Sequence, residues 1–323
     1  MTAASIRCEE PVVVSSSRGR ASSVQGRANG PLRVLCEVLS YRRIGNYHSL
    51  TFVAPEMAER AKPGQFVSVG VEGDGTLLRR PFSIYAISRH GPWAGTIEIV
   101  FDVVGPGTRY LSKLAKHDAV DIVGPLGRPF PMPQQAVDCL LVGGGYGAAP
   151  LLFLAQRLQQ SSLRVNIVLG AATQNRLFNI IEAKRLSAKS AFTTEDGSFG
   201  TPGRVTDVLD RMLAGGTVGV VYACGPMPML AAVTAIARDH KIAVQVAVEE
   251  AMACGVGVCM TCVLPVRRDG RTVNLRACVE GPVFNGKKIL WAQLGQPPVM
   301  QMATGDDAFA KGPVVTAVVE PRS

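Results

Sequence analysis

The stretch Val137–Leu158, "VDCLLVGGGYGAAPLLFLAQRL", is the strongest indication of the fold of this chain. It opens with a continuous apolar run, passes through the turn Gly143-Gly144-Gly145-Tyr146-Gly147, and continues as a second apolar segment. A buried run that leads through a glycine turn into a helix is typical of a βα unit in a parallel sheet. Backbone N–H groups in such a turn can surround a phosphate. The alternative is a tight turn that binds nothing.

The same pattern of apolar strand, turn and helix repeats further along the chain. Buried strand-like runs are "RVNIVLGAAT" (164–173), "AFTTEDG" (191–197), "VGVVYACG" (218–225) and "IAVQVAVEE" (242–250), and helical runs are "GRVTDVLDRML" (203–213) and "PMPMLAAVTAIARD" (226–239). Strands that alternate with helices predict a parallel α/β domain, which we place at residues 134–248.

A second turn, Cys224-Gly225-Pro226, ends a later strand of that sheet. Ligands of open α/β sheets bind at the carboxyl ends of the strands, so both turns are predicted to hold a nicotinamide nucleotide. The predicted contacts are Gly143, Gly144, Gly145, Gly147, Cys224, Gly225 and Pro226. The first turn is not a complete G-x-G-x-x-G motif, and no acidic ribose ligand is evident. Cys224 is predicted to position the nicotinamide, and no acid–base catalytic residue is predicted.

Residues 31–133 have a different pattern. Six short β-prone runs, punctuated by Gly or Pro, lie at 32–42, 48–55, 64–71, 82–89, 96–104 and 119–127. Such a series predicts a small antiparallel barrel or sandwich.

One of these runs carries a possible flavin motif, Arg80-Pro81-Phe82-Ser83. A guanidinium can bind a pyrophosphate, an aromatic ring can pack on the flavin, and a hydroxyl can bond a ring nitrogen. Alone the motif is weak. It is followed by Gly107-Thr108, just before a predicted helix from Arg109, and a helix N-terminus attracts anions.

Three cysteines share the loop "CGVGVCMTC" (254–262), and a fourth, Cys278, follows. The spacing C-x4-C-x2-C with a remote Cys is that of plant-type [2Fe–2S] sites, so Cys254, Cys259, Cys262 and Cys278 are predicted ligands. The alternative is zinc, which usually uses two C-x2-C pairs where this chain has one. The intervening segment predicts a hairpin that turns at Asp269-Gly270. We assign residues 249–295 to this small module.

Composition limits the remaining possibilities. Aromatic residues are 6% of the chain, which argues against base stacking and nucleic-acid binding. The formal charge is +9, and residues 1–30 and 296–323 are predicted tails. Neither a membrane span nor a secretory signal is recognisable, so we expect a cytoplasmic protein, in which cysteines stay reduced. Cys8, Cys36 and Cys139 are predicted to be ordinary thiols.

Taken together, these motifs resemble the ferredoxin–NADP reductase superfamily, and more narrowly the electron-transfer subunits of bacterial class 1B dihydroorotate dehydrogenases. The resemblance covers roughly residues 31–295 and rests on "LLRRPFSI", "GPGT", "VGGGYGAAPLL", "ACGPMPML", "EEAMACGVGVCMTC" and "ACVEGPVF". The rival is a ferredoxin–NADP+ oxidoreductase or sulfide dehydrogenase subunit with another partner. An alternative from a different functional class is a non-redox interaction protein that binds zinc and is therefore colourless.

The resemblance implies FAD in the barrel, a [2Fe–2S] cluster in the C-terminal module, and an FMN-containing catalytic partner in a heterotetramer. It implies electron flow from dihydroorotate to NAD+ in pyrimidine biosynthesis. By matching position, it assigns flavin contacts to Arg80, Pro81, Phe82, Ser83, Val100, Phe101, Asp102, Gly107 and Thr108. Tyr146 is bulkier than the residue expected in the glycine turn, and the two tails have no counterpart.

Overall fold

The computed structural model describes residues 30–72 and 77–294. Nearly all of both predicted tails, and Cys8, lie outside these ranges. The described residues form fifteen β-strands and six α-helices. None of the helices within those ranges is long and apolar enough to cross a membrane.

The N-terminal part is a closed antiparallel barrel with the strand order β1-β2-β5-β4-β3-β6. Its strands are β1 (Leu32–Ile44), β2 (Tyr47–Val53), β3 (Phe66–Val69), β4 (Arg80–Ser88), β5 (Thr96–Phe101) and β6 (Ala119–Leu126). Two short helices, α1 (Pro55–Arg60) and α2 (Pro106–Leu111), lie in its connections. Inward-facing apolar residues such as Val38, Phe52 and Ile97 are completely buried, which closes the sheet on itself.

The second part is the predicted parallel sheet. Its strands are β7 (Asp138–Gly144), β8 (Val165–Ala171), β9 (Lys189–Thr194), β10 (Thr201–Pro202), β11 (Val218–Cys224) and β12 (Ala243–Ala247). The helices are α3 (Ala149–Gln160), α4 (Ile180–Arg185), α5 (Val205–Ala214) and α6 (Met227–Asp239). Leu140, Leu141 and Val142 of β7 are all fully buried, because both faces of the sheet are covered.

The third part is small and carries β13 (Val263–Arg268), β14 (Arg271–Arg276) and β15 (Val283–Asn285). Strands β13 and β14 form the predicted hairpin, and both Asp269 and Gly270 have the positive φ of its turn. Strand β15 adds to the large sheet antiparallel to β12, giving the order β10-β9-β8-β7-β11-β12-β15. The predicted combination of barrel, parallel sheet and C-terminal module is therefore confirmed.

The prediction of a helix from Arg109 is wrong by one turn. Helix α2 begins at Pro106, so Gly107 and Thr108 lie inside it. Proline is favoured in the first turn of a helix, because N–H groups there have no hydrogen-bond partner within the helix and the one that proline lacks is not missed.

Specific contacts join the barrel to the sheet at the carboxyl ends of the parallel strands. The Tyr47 hydroxyl donates to the carbonyl of Arg176 at 2.8 Å, and the Asn179 amide donates to the Tyr85 hydroxyl at 2.9 Å. Helix α3 also packs along β4. The flavin-motif strand and the first glycine turn are thereby brought to one cleft.

Candidate functional site

The first cavity, which we call the barrel cavity, has a volume of about 370 Å³ and lies between β4 and the glycine turn. Four of the predicted flavin residues line it, namely Pro81, Phe82, Ser83 and Val100. Within the described residues the Ser83 hydroxyl makes no hydrogen bond, so it is free to bond a ligand. The cavity and its free hydroxyl fit a flat heteroaromatic group such as the flavin ring.

The other predicted flavin residues lie elsewhere. Arg80 lies against Gly107, where an added Cβ would come within 2.9 Å of the Arg80 Nε atom. The Thr108 hydroxyl accepts hydrogen bonds from the N–H groups of Val104 and Gly105, so it holds the turn that begins α2. Phe101 is buried in the barrel core with its ring 5.7 Å from that of Phe82.

The second cavity, which we call the nucleotide cavity, has a volume of about 630 Å³. Of the predicted contacts, Gly144, Gly145, Gly147 and Pro226 line it. Thr193 also lines it, and its buried hydroxyl has no hydrogen-bond partner among the described residues. Buried polar atoms are normally paired, so this orphaned hydroxyl fits a cavity that receives a polar ligand such as a dinucleotide.

The two glycine turns contact each other directly. A Cβ on Gly147 would lie 2.8 Å from the Cα atom of Gly225, and one on Gly225 would lie 3.0 Å from the backbone nitrogen of Gly144. Gly143 packs instead against Ala148 and Leu169. Glycine is therefore required here for close backbone approach rather than for a special φ at Gly147.

Three side chains lie where the cavities meet. Tyr146 and Glu249 line both cavities, and Cys224 lines the barrel cavity. Burial raises the pKa of Glu249, and burial together with the Glu249 charge raises the pKa of the Cys224 thiol well above its usual value. The Tyr146 ring is partly exposed and lies 5.6 Å from that of Tyr47. Cys224 is thus a neutral thiol, consistent with a positioning contact.

The cysteine loop curls around the sulfur of Cys254. The N–H groups of Val256, Val258 and Cys259 lie 3.5, 3.3 and 3.4 Å from this sulfur. Gly255 and Gly257 have positive φ values of 70° and 84°, which produces the curl. N–H groups aimed at a sulfur stabilise a thiolate and fit an iron–sulfur ligand.

The four cysteines are arranged as two pairs. Cys259 adjoins Cys254, whereas the N–H of Cys278 lies 3.4 Å from the Cys262 sulfur. Among the described residues, no group of three or more Cys, His, Asp or Glu side chains is close enough to hold one metal ion. Two thiolate pairs suit the two irons of a [2Fe–2S] rhomb better than a single zinc ion, which needs four converging ligands.

The pKa values of exposed Cys259 and buried Cys278 are shifted in opposite directions. Hydrogen bonds from Thr261 and from the Cys254 region lower the pKa of Cys259 to about 6. Burial and the neighbouring Cys262 raise the pKa of Cys278 to about 12.

Sequence reasoning missed several residues of the site. Arg276 donates to the carbonyl of Gly257 at 2.9 Å and pairs with Glu280 at 2.5 Å, which ties the cysteine loop to the hairpin. Glu195 and Arg204 line the nucleotide cavity and pair with each other at 3.4 Å. Asp102, by contrast, is a predicted flavin contact, but it lines the nucleotide cavity and pairs with Arg176 rather than lining the barrel cavity.

The fold and site define an oxidoreductase of the ferredoxin–NADP reductase type. A model described as the oxidoreductase NAD-binding domain matches residues 141–235. A chain in the structure of the NADH-dependent reduced ferredoxin–NADP oxidoreductase is similar, with a TM-score of 0.71 and 32% identity. The match covers 81% of this chain and 91% of that one.

The family itself follows from closer relatives. A model described as the iron–sulfur cluster binding domain of dihydroorotate dehydrogenase B matches residues 249–290. The "Dihydroorotate dehydrogenase B (NAD(+)), electron transfer subunit" of Desulforamulus reducens is 36% identical over 76% of this chain and 93% of its own length. Its counterpart from Caldanaerobacter subterraneus is 36% identical over 80% of this chain and 99% of its own. The chain belongs to this family of dihydroorotate dehydrogenase B electron transfer subunits.

Membership of this family confirms the predicted resemblance and the class of NAD-linked oxidoreductase. The two matched domains agree with two of the predicted cofactors, an iron–sulfur cluster and NAD. The relatives' names also imply that they work with a catalytic partner subunit.

Proposed function

We propose that this chain carries electrons from an FMN-containing dihydroorotate dehydrogenase subunit through a [2Fe–2S] cluster and FAD to NAD+. The observation that carries this proposal is the central position of the barrel cavity. It shares Tyr146, Gly147 and Glu249 with the nucleotide cavity. On its other side, Phe66 lines it and lies 3.8 Å from the position of a Cβ on Gly255 in the cysteine loop.

When bound, FAD exchanges two electrons with NAD and single electrons with the cluster, and the protein supplies binding and orientation. Ser83 would donate a hydrogen bond to the flavin ring, and Arg80 would face the pyrophosphate. The packed turns at Gly147 and Gly225 would fix the nicotinamide next to the ring. Cys254 with Cys259, and Cys262 with Cys278, would each hold one iron.

The catalytic partner would dock over the cysteine loop. Val258 is 80% exposed and Met260 51%, and Val256 and Val279 are also exposed beside them. An apolar patch around a cluster suits a docking surface that excludes water. The proposal includes the FMN in the partner, a heterotetramer, and a cytoplasmic location in which the cluster thiols stay reduced.

A second candidate is a ferredoxin–NADP+ oxidoreductase subunit with another partner. It is favoured by the 32% identity to a chain of the NADH-dependent reduced ferredoxin–NADP oxidoreductase structure. The two candidates share cofactors and differ in the partner.

The deciding experiment is co-purification of the full chain with the FMN subunit from the same cell. We expect a stable brown complex that reduces NAD+ when dihydroorotate is added. If the FMN subunit does not bind and reduced ferredoxin supports NADP+ reduction instead, the second candidate replaces the first.

Arg80→Ala should weaken FAD retention about ten- to a hundredfold, because a charge-assisted phosphate contact is lost. The measurement is the FAD released by acid extraction from freshly purified protein. Arg33→Ala is the matched control, since Arg33 is an exposed arginine of the same barrel that pairs with Asp121 at 2.8 Å. Release of FMN alone from the wild-type protein, or full FAD retention by Arg80→Ala, would contradict the assignment.

The nucleotide cavity is expected to prefer NADH to NADPH. Arg176 lines this cavity and could bind a 2′-phosphate, but it is engaged by Asp102, and Glu195 adds a carboxylate to the cavity. A carboxylate favours the free ribose hydroxyl of NAD and repels a 2′-phosphate.

Glu195→Gln should therefore raise the kcat/KM for NADPH relative to NADH by about tenfold, a modest factor because the side chain is half exposed. Stopped-flow reduction of the flavin by each nucleotide measures this ratio. Asp239→Asn serves as the control, because Asp239 is an exposed acid at the end of α6 that lines neither cavity. A wild-type preference for NADPH would overturn the prediction.

A further inference from the structure

A third cavity lies at the opposite edge of the parallel sheet from the nucleotide cavity. This basal cavity has a volume of about 520 Å³ and lies under α5, at the amino ends of β7, β8, β9 and β11. Its volume is in the range of small-molecule sites. None of the residues predicted to hold FAD, NAD or the cluster lines it.

The rim of the basal cavity is cationic. Arg164, Lys189 and Arg211 line it, against one carboxylate, Asp138. Arg164 lies 3.9 Å from Asp138, which is the outer limit of an ion pair. The side chains of Lys189 and Arg211 have no ion-pair or hydrogen-bond partner among the described residues. Two unpaired cations at the mouth of one cavity attract an oxyanion.

The floor of the basal cavity carries a buried polar group that lacks a partner. Asn166 lines the cavity and is only 5% exposed, and its Oδ1 atom has no hydrogen-bond donor among the described residues. Asn166 pairs in register with Lys189 on the neighbouring strand, so the amide lies beside one of the free cations. Two residues along β8, Val168 is a fully buried apolar side chain. If no ligand bound in the cavity, an apolar residue would therefore be more stable than asparagine at position 166.

We propose that the basal cavity binds a small anion that carries both an oxyanion group and an N–H or O–H donor. The oxyanion, a phosphate or a carboxylate, would bind Lys189 and Arg211 at the rim. The donor would satisfy the buried Asn166 amide oxygen.

The test is calorimetric titration of the FAD- and cluster-loaded protein with two probes, inorganic phosphate and uridine 5′-monophosphate. The second probe combines a phosphate with a ring N–H donor and lacks the adenine that the other nucleotide sites would take. We expect uridine monophosphate to bind more tightly than phosphate. Lys189→Ala and Arg211→Ala should each weaken it about tenfold or more, whereas Arg157→Ala, an exposed arginine on α3, should not.

The variant Asn166→Leu tests whether the unpaired buried amide of Asn166 is kept for ligand binding or is needed for stability. The apolar side chain removes an unpaired buried amide, so the variant should melt at a higher temperature than the wild type and lose binding of uridine monophosphate. Its flavin reduction by NADH should be unchanged. Absence of binding of both probes to the wild type, or binding that Lys189→Ala and Arg211→Ala leave intact, would overturn the proposal. A lower melting temperature of Asn166→Leu would also count against it, because the amide would then be structurally required.

Discussion

Cys278→Ser should give a protein that keeps FAD, accepts electrons from NADH, and passes none to the FMN subunit. Cys278 is the predicted remote ligand, and its buried N–H lies against the sulfur of Cys262. A serine hydroxyl is a far poorer ligand than a thiolate, so one iron would lose half of its protein ligands. We expect electron transfer to the partner to fall more than about a hundredfold, beyond the loss typical of outer-shell partners.

The measurements are the visible spectrum, iron content, and rates of the two half-reactions. Flavin reduction by NADH should stay within about twofold of wild type, because the nucleotide cavity is separate from the loop and distant sites act independently. Cys36→Ser is the control, since Cys36 is a buried thiol of the barrel that bonds the carbonyl of Val34. If Cys278→Ser kept both the cluster spectrum and full transfer, the fourth ligand would be another residue.

The barrel and the parallel sheet could be predicted because their patterns are strong and local. Strands β7, β8 and β11 are continuous apolar runs, β7 and β11 lead into glycine turns, and the barrel strands are separated by Gly and Pro. Helices α1 and α4 are not predicted, because six residues are too few to establish a helical period; the equally short α2 is indicated only by the Gly107-Thr108 turn. Strand β15 was missed because three residues carry no pattern, and its pairing with β12 is set by tertiary packing.

The sequence predicts those parts of the candidate site that are formed by local turns of the chain. The sequence alone locates the two glycine turns, because they follow strand-like runs. It also locates the four cysteines, because their spacing matches a known pattern. Residues that reach the site from elsewhere carry no such signal. Glu249 is one acid of a pair at the end of a strand, and only the fold brings it between two cavities. Arg276 binds the Gly257 carbonyl because the hairpin register sets it opposite Val263, directly after the last cysteine of the loop.

The Thr108 hydroxyl has a structural role in addition to the flavin contact that the resemblance assigns to this residue. Its hydroxyl accepts two backbone N–H groups and donates to the carbonyl of Gly105. These bonds fix the start of α2, and Gly107 then lies beside the Arg80 guanidinium. The residue therefore acts on the surrounding turn, and a direct phosphate contact by its hydroxyl would compete with these bonds.

Gly147→Ala should abolish most flavin reduction by NADH while FAD and the cluster stay bound. The added methyl carbon would lie 2.8 and 2.9 Å from the Cα and nitrogen atoms of Gly225, and 3.1 Å from the carbonyl oxygen of Cys224. These are backbone atoms, which cannot rotate aside as a flexible side chain could. The Cys224–Pro226 turn would have to move away from the Gly143–Gly147 turn, widening the place where both cavities meet.

A displacement of about 1 Å at such a point can cost a hundredfold in rate, because hydride transfer needs the reacting groups in contact. We therefore expect kcat/KM for NADH to fall by about that factor, with unchanged FAD content and an unchanged cluster spectrum. Gly215→Ala is the matched control, because the nearest atom to its added Cβ is 3.8 Å away. A Gly147→Ala protein with wild-type NADH kinetics would mean that the nicotinamide does not bind at these two turns, and the nucleotide site would have to be sought elsewhere on the sheet.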